Sequence, residues 1–126
     1  PLAAAYRLPK ETPAQQAAKA AALEAALDGA CTVPLDILEA CGEGIALAAE
    51  YAEKGSVLAV SDAGCAALFC KAAMEAAGLN VSINTRLMAD RAKANAFHAR
   101  ADALLAEYAP LADKLYAKLA HQLREE

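Results

Sequence analysis

Two short polar clusters flank an alanine-rich segment in the middle of the chain, and they contain the residue types best suited to chemistry. Ser61-Asp62-Ala63-Gly64 precedes the segment, and Asn80-Val81-Ser82-Ile83-Asn84 follows it. A carboxylate such as Asp62 can move protons when a cleft desolvates it. Asn80 and Asn84 are four residues apart, so on a helix their amides share a face. Because one helix separates the clusters, they can line one pocket only if other elements or a second subunit bring complementary ends together.

Both clusters also have a structural interpretation, which the residues alone leave open. Ser61 could cap a helix while Asp62 satisfies free backbone N–H groups in its first turn, where the helix dipole favours an acid. That role is compatible with catalysis by Asp62. The alternative for Asn80 and Asn84 is the capping of a helix end.

Basic and histidine residues provide further candidates. Arg7, Lys10 and Arg86 could bind carboxylate groups of a ligand, since Arg forms a two-pronged contact with a carboxylate, and solvated surface charge is the alternative. His98 and His121 belong to no motif and are interpreted as solvated.

The four cysteines predict neither a metal site nor a redox motif. Cys31, Cys41, Cys65 and Cys70 contain no Cys-x-x-Cys pair, and none has a histidine at ligand spacing. We interpret them as buried thiols and predict no metal.

Length and composition favour a single all-α domain covering residues 1–126. Alanine, the best helix former, dominates the apolar residues, whereas Val and Ile are few and no long run alternates between apolar and polar residues. An antiparallel helical bundle is the expected architecture. The net charge of -4 without a basic stripe argues against nucleic-acid binding. No uncharged span of 18 apolar residues and no signal layout are present, so we expect a cytoplasmic protein without a membrane partner.

Caps and periodicity predict four helical segments. Thr12 and Pro13 begin a helix that we expect to end near Asp28, and Val33-Pro34 begins a second that ends at Gly55. The second helix carries a stripe of apolar residues that is expected to face the core. Its glycines, Gly42 and Gly44, predict the close approach of another backbone. The stripe comprises Leu38, Cys41, Ile45, Ala48 and Ala52.

The second half of the chain gives two more helical segments. We expect the third helix to run from Ser61 or Asp62 to Gly78, with Cys65, Leu68, Phe69 and Ala72 facing the core. Residues 79–87 are expected to be helical or irregular and to continue into a last helix that starts at Asp90. The last helix has a leucine face, kinked or restarted by Pro110, that serves as core or subunit interface. This face comprises Leu104, Tyr108, Leu111, Leu115, Leu119 and Leu123.

The order of these motifs resembles the formimidoyltetrahydrofolate cyclodeaminase family, which also includes methenyltetrahydrofolate cyclohydrolases. The resemblance rests on six elements in sequence and covers Tyr6 to Asp90. They are Arg7-Leu8-Pro9-Lys10-Glu11-Thr12, Val33-Pro34-Leu35, Gly55-Ser56, Ser61-Asp62, Asn80-Val81-Ser82-Ile83-Asn84, and Arg86 with Asp90. Each motif alone is weakly specific, whereas their order and spacing together are specific.

The resemblance implies an all-helical homodimer, or a higher homo-oligomer, with a folate site between subunits. Family members convert 5-formimidoyltetrahydrofolate to 5,10-methenyltetrahydrofolate with release of ammonia, a step of histidine catabolism. Others interconvert methenyl- and 10-formyl-tetrahydrofolate. A tetrahydrofolate derivative is the implied substrate, and no metal is implied. The implied site residues are Asp62 as catalytic carboxylate and Arg7, Lys10, Ser61, Asn80, Asn84 and Arg86 as substrate contacts.

The chain departs from the family pattern at its beginning. Family domains carry upstream helices with the aspartate usually proposed as proton donor, and that position falls before Pro1. The chain therefore resembles the C-terminal two-thirds of a cyclodeaminase domain, and we expect little activity from it alone. Cyclodeaminase is the first hypothesis. The alternatives are a cyclohydrolase and a non-catalytic module for oligomerisation or folate binding.

Overall fold

All regular structure in the part of the chain that is described is helical. The computed structural model describes residues 1–125 and contains no strand within them. Its helices are α1 (Leu2–Tyr6), α2 (Pro13–Lys54), α3 (Val60–Thr85) and α4 (Arg91–Glu125), with a 3-10 turn at Val57–Ala59. The prediction of an all-α fold is confirmed.

The first two predicted helices form one continuous helix, α2, so the predicted break between Asp28 and Val33 is wrong. The predicted start is correct, because the Thr12 hydroxyl accepts the N–H of Gln15 at 3.2 Å and Pro13 is the first helical residue. The predicted end at Gly55 is also confirmed. Pro34 lies inside α2, where it cannot donate a backbone hydrogen bond to the carbonyl of Ala30. The Asn84 side chain of α3 supplies that bond.

Helix α3 continues through Gly78 and ends at Thr85, and its buried face is not the predicted one. Cys65, Leu68, Phe69 and Ala72 are all exposed. The residues that face the core are Ala63, Gly64, Ala67, Met74, Ala77 and Val81. The prediction failed because the apolar residues of α3 are not confined to one side, so periodicity does not select a face. The small residues allow close packing, whereas Leu68, Phe69 and Leu79 remain outside.

The core lies between α2, α3 and α4. Leu38, Ile45 and Ala48 of α2 are buried there, and Cys41 and Ala52 are half-buried, which confirms the predicted stripe. Gly42 and Gly44 lie against side chains and not against the predicted backbone. The Tyr108 ring of α4 occupies the space that a β-carbon on Gly42 would need, with Cε2 only 2.6 Å from that position, and Cys70 Sγ lies beside Gly44.

The leucine face of α4 is confirmed over most of its length. Leu104, Leu115 and Leu119 are buried, whereas Leu123 near the end is exposed. Helix α4 continues through Pro110 instead of restarting there.

Two side-chain contacts hold the connection between α3 and α4 against the rest of the chain. The Glu24 carboxylate accepts the backbone N–H groups of Ala89 and Asp90 at 2.8 and 3.0 Å. The Arg91 guanidinium donates to the carbonyls of Thr85 and Met88 at 2.9 and 3.1 Å. These bonds satisfy backbone groups that a helix end leaves without partners, and they fix the position of the end of α3.

One segment, Val57–Thr85, is long and apolar enough to cross a membrane by length and composition, and 28% of its most apolar window is buried. A single helix of this kind carries little weight, because the core helix of a soluble protein meets the same criterion.

Candidate functional site

Asp62 lies in the first turn of α3, at one end of a groove between α2 and α3. The groove has a volume of about 370 Å³ and is walled by Gly44, Leu47, Ala48, Tyr51, Ala59, Ala63 and Ala66. Asp62 is exposed, and within residues 1–125 its carboxylate forms no hydrogen bond or ion pair. An acid in this position is favoured by the helix dipole and remains available to a ligand.

Ser61 is exposed and does not cap α3. The helix begins one residue earlier, at Val60, with Ala59 in the N-cap position and no side-chain cap. The structural interpretation of Ser61 is therefore wrong, because the 3-10 turn at Val57–Ala59 leads directly into the helix. Ser61 instead lies in a second, apolar groove of about 230 Å³ between α3 and α4.

Asn80 and Asn84 lie at the other end of the α2–α3 surface and line a groove of about 490 Å³. Its walls are Ala30, Val33, Pro34, Ile37, Ala73, Ala76 and Ala77. The Nδ2 of Asn80 donates to the carbonyl of Ala76 at 3.0 Å. The Nδ2 of Asn84 donates to the carbonyls of Asn80 at 2.9 Å and Ala30 at 3.0 Å.

The contact between Asn84 and Ala30 compensates for Pro34. In a regular helix the Ala30 carbonyl would accept the N–H of residue 34, which proline lacks. The Asn84 amide supplies the missing donor from α3. Since both of its N–H groups face carbonyl oxygens, Oδ1 is the polar atom that Asn84 can still offer to a ligand.

The basic candidate residues lie nearer to the asparagines than to Asp62. Arg7 follows α1 and Arg86 follows α3, and both are exposed, as is Lys10. Leu2 of α1 and Met88 of the α3–α4 connection pack in the same small cluster, so both segments lie at one end of the protein. All three basic side chains are exposed, and no described contact joins them into a pocket.

The structure separates the two polar clusters. Leu47 lines the Asp62 groove and Ala30 lines the asparagine groove. Both residues lie on α2, where a rise of 1.5 Å per residue separates them by about 25 Å along the helix axis. A single copy therefore does not bring Asp62 and the asparagines to one ligand.

Comparison with known proteins identifies the family. The family model described as formiminotransferase-cyclodeaminase matches residues 1–103. The chain belongs to the formiminotransferase-cyclodeaminase family. It is also similar to a methenyltetrahydrofolate cyclohydrolase of Methylorubrum extorquens, with 42% identity over 112 residues. The match covers 89% of this chain and 54% of the relative, so the chain spans about half the length of that protein.

In this formiminotransferase-cyclodeaminase family member, polar contacts that the sequence did not predict support the asparagine end. The buried hydroxyl of Thr85 donates to the Ser82 carbonyl at 3.1 Å, and His98 Nε2 lies 2.7 Å from the same hydroxyl oxygen. Because that hydroxyl has one proton, Nε2 of His98 donates to it in the tautomer that leaves the Thr85 proton on the Ser82 carbonyl, and accepts from it in the other tautomer. His98 is half-buried, so the prediction that it is solvated is wrong. His121 is exposed, as predicted.

The N-terminal segment of the family member is held by a lysine that belongs to no motif. Lys19 Nζ donates to the carbonyls of Tyr6 at 2.7 Å and Leu8 at 3.0 Å. The ammonium therefore neutralises the carbonyl end of α1 and keeps Arg7 close to α2.

The cysteines of the family member occupy three environments, so the prediction of buried thiols is only partly confirmed. Cys31 is buried, and burial, with the Asp28 carboxylate as a smaller cause, raises its pKa. Cys41 and Cys70 are half-buried on facing helices. Burial raises the pKa of Cys41, and the neighbouring Cys70 thiol raises it further. Cys65 is exposed. Within residues 1–125 no group of three or more His, Cys, Asp or Glu side chains is arranged to hold a metal ion.

Proposed function

We propose that the chain is part of a folate-dependent one-carbon enzyme that interconverts 5,10-methenyltetrahydrofolate and 10-formyltetrahydrofolate. The observation that carries this proposal is the 42% identity to a methenyltetrahydrofolate cyclohydrolase. The second candidate is the cyclodeaminase reaction, which releases ammonia from 5-formimidoyltetrahydrofolate, and the family description supports it. Both reactions pass through a tetrahedral carbon between two folate nitrogens, so the same acid, base and amide groups serve either one.

The proposed site belongs to a homodimer. The Asp62 groove and the asparagine groove open at opposite ends of one surface formed by α2 and α3, two helices that we take to be antiparallel. A two-fold axis that lies in the plane of this surface, at right angles to the two helices, would place the Asp62 groove of one copy over the asparagine groove of its partner. Each dimer would then contain two complete sites.

The surface between the grooves is suited to such contact. Its exposed side chains are apolar: Val33, Ile37, Leu47 and Tyr51 on α2, and Phe69 on α3. Two adjacent helices about 20 Å wide over roughly 30 Å of length offer on the order of 600 Å² per copy. The total of about 1,200 Å² reaches the lower limit for a specific, stable interface.

The proposed chemistry assigns each polar group a role. Asp62 accepts one proton from the water that attacks the methenyl carbon and returns it to N5 as the bond between that carbon and N5 breaks, and the second water proton is released to solvent as the formyl C=O forms. Asn84 Oδ1 accepts, and Asn80 can both accept and donate, so together they suit the ring edge of a pterin. Arg7, Lys10 and Arg86 bind the glutamate carboxylates of the folate. The absence of a metal and the cytoplasmic location remain predictions.

Assays of the whole enzyme of which the chain is proposed to be part, with both substrates, test the proposed reaction. We expect hydrolysis of 5,10-methenyltetrahydrofolate to exceed ammonia release from 5-formimidoyltetrahydrofolate. Asp62→Asn should reduce the rate roughly 100-fold or more, the usual contribution of a positioned acid or base. Asp102→Asn, which changes an exposed carboxylate on α4, is the matched control and should have no effect. Ammonia release as the faster reaction would favour the cyclodeaminase. Folate binding in calorimetry without turnover of either substrate would favour the non-catalytic module.

A further inference from the structure

Cys41 and Cys70 form a pair of thiols at the centre of the α2–α3 surface. Cys41 lies on α2 between the residues that line the two grooves, and Cys70 lies between the corresponding residues of α3. Both are half-buried and pack against the same core cluster. Neither forms a disulfide in this structure.

The packing of Cys70 shows how closely the two helices approach. Its Sγ lies 3.0 Å from the position that a β-carbon would take on Gly44, so the sulfur fills the space that glycine leaves open on α2. Gly44 is one helical turn beyond Cys41 and lies on the same face. The Cys70 thiol therefore points toward α2 beside Cys41, as a bridge between the helices requires.

We propose that Cys41 and Cys70 are a modification site, at which exchange with a small-molecule disulfide converts the two thiols into an interhelical disulfide. A thiolate of the pair attacks glutathione disulfide, forms a mixed disulfide and releases one glutathione. The second thiolate attacks the protein sulfur of that mixed disulfide and releases the second glutathione. Two protein thiols are oxidised, one glutathione disulfide is reduced to two glutathione molecules, and the helices become linked.

The bond would fix α2 to α3 midway between Asp62 and the asparagines. Disulfide geometry requires Cα atoms about 4.4–6.8 Å apart, a separation that the glycine-lined contact favours. The inference does not depend on the proposed folate reaction, because it concerns the thiols alone. If that reaction is also correct, the bond lies beneath the surface on which the partner subunit would sit.

Mass spectrometry of the full, reduced chain tests the proposal. The native protein is incubated with excess glutathione disulfide at alkaline pH, where more thiol is ionised, and is then alkylated and digested with trypsin and a glutamyl endopeptidase. Cleavage after Glu39 and Lys54 separates Cys31, Cys41 and Cys70 into different peptides. We expect the monomer to lose about 2 Da beyond any glutathione adducts, because two hydrogens leave when one disulfide forms. We also expect a Cys41–Cys70 linked peptide that dithiothreitol separates.

Cys65 supplies the internal control, since it is exposed and lies on the same digestion fragment as Cys70. It should acquire a glutathione adduct in the same sample. Cys65→Ser should retain the interhelical bond, and Cys41→Ser should lose it. Recovery of Cys41 and Cys70 as free thiols, or as two separate adducts, while Cys65 is modified would overturn the proposal. So would an intramolecular bond that persists in Cys41→Ser.

Discussion

The hydrogen bond from Asn84 to the carbonyl of Ala30 allows a quantitative test of how α3 supports α2. Asn84→Ala removes the donor that replaces the missing N–H of Pro34. Leaving a partly buried carbonyl without a partner costs about 1–2 kcal/mol. We therefore expect the free energy of unfolding to fall by about that amount, reduced by the roughly 0.5 kcal/mol that alanine gains over asparagine inside a helix.

A double-mutant cycle isolates this contribution. In Pro34→Ala, residue 34 regains an N–H that can donate to Ala30, so Asn84 is no longer needed for that carbonyl. The helix-propensity gain of Asn84→Ala is the same in both backgrounds and cancels. The cycle should thus yield a coupling energy of about 1–2 kcal/mol between residues 34 and 84.

Urea denaturation of the four proteins at one fixed concentration measures the cycle, since association would otherwise contribute to stability. Asn80→Ala is the control, because the Asn80 amide bonds a carbonyl of its own helix and is exposed. It should show no coupling to Pro34→Ala. An equal loss of stability for Asn84→Ala with and without Pro34 would refute the proposed compensation.

Two further predictions concern packing and the exposed surface. Gly42→Ala should destabilise the protein by about 1–3 kcal/mol because the new methyl group collides with the Tyr108 ring. Gly29→Ala, whose new methyl group meets nothing within 4 Å, should stabilise the protein by up to about 1 kcal/mol. Thermal melts of the two variants test both expectations. Phe69→Asp, on the surface shared by the two grooves, should convert a dimer to monomer in sedimentation, whereas Leu79→Asp, elsewhere on α3 and 73% exposed, should not. Loss of the dimer in both variants, or in neither, would contradict the choice of surface.

The sequence predicted the helices and most of the α4 face correctly because their signals are local. The Thr12 cap and the spacing of Leu104, Leu115 and Leu119 are readable within a few residues. The break at Pro34 was predicted wrongly because its compensation comes from Asn84, which is distant in the sequence. Only the folded structure shows that a proline inside a helix has regained a donor.

The site was predictable as residue types but not as an arrangement. Asp62 and the asparagines were identified from polarity within an apolar segment, and the structure places them in two separate grooves. The roles of Thr85 and His98 could not be read from the sequence, because neither residue is part of a pattern and their bond joins two helices. The buried face of α3 was misjudged since apolar residues lie on all of its sides.

Subunit complementation tests most directly whether two copies form one site. Asp62→Asn and Asn80→Ala, each of which we expect to be inactive in methenyltetrahydrofolate hydrolysis, are co-refolded in equal amounts. If each site takes Asp62 from one copy and Asn80 from its partner, half of the dimers are mixed and each mixed dimer contains one intact site. The mixture should then recover about a quarter of the wild-type activity. Activity no higher than the mean of the two parent variants would contradict the intersubunit site.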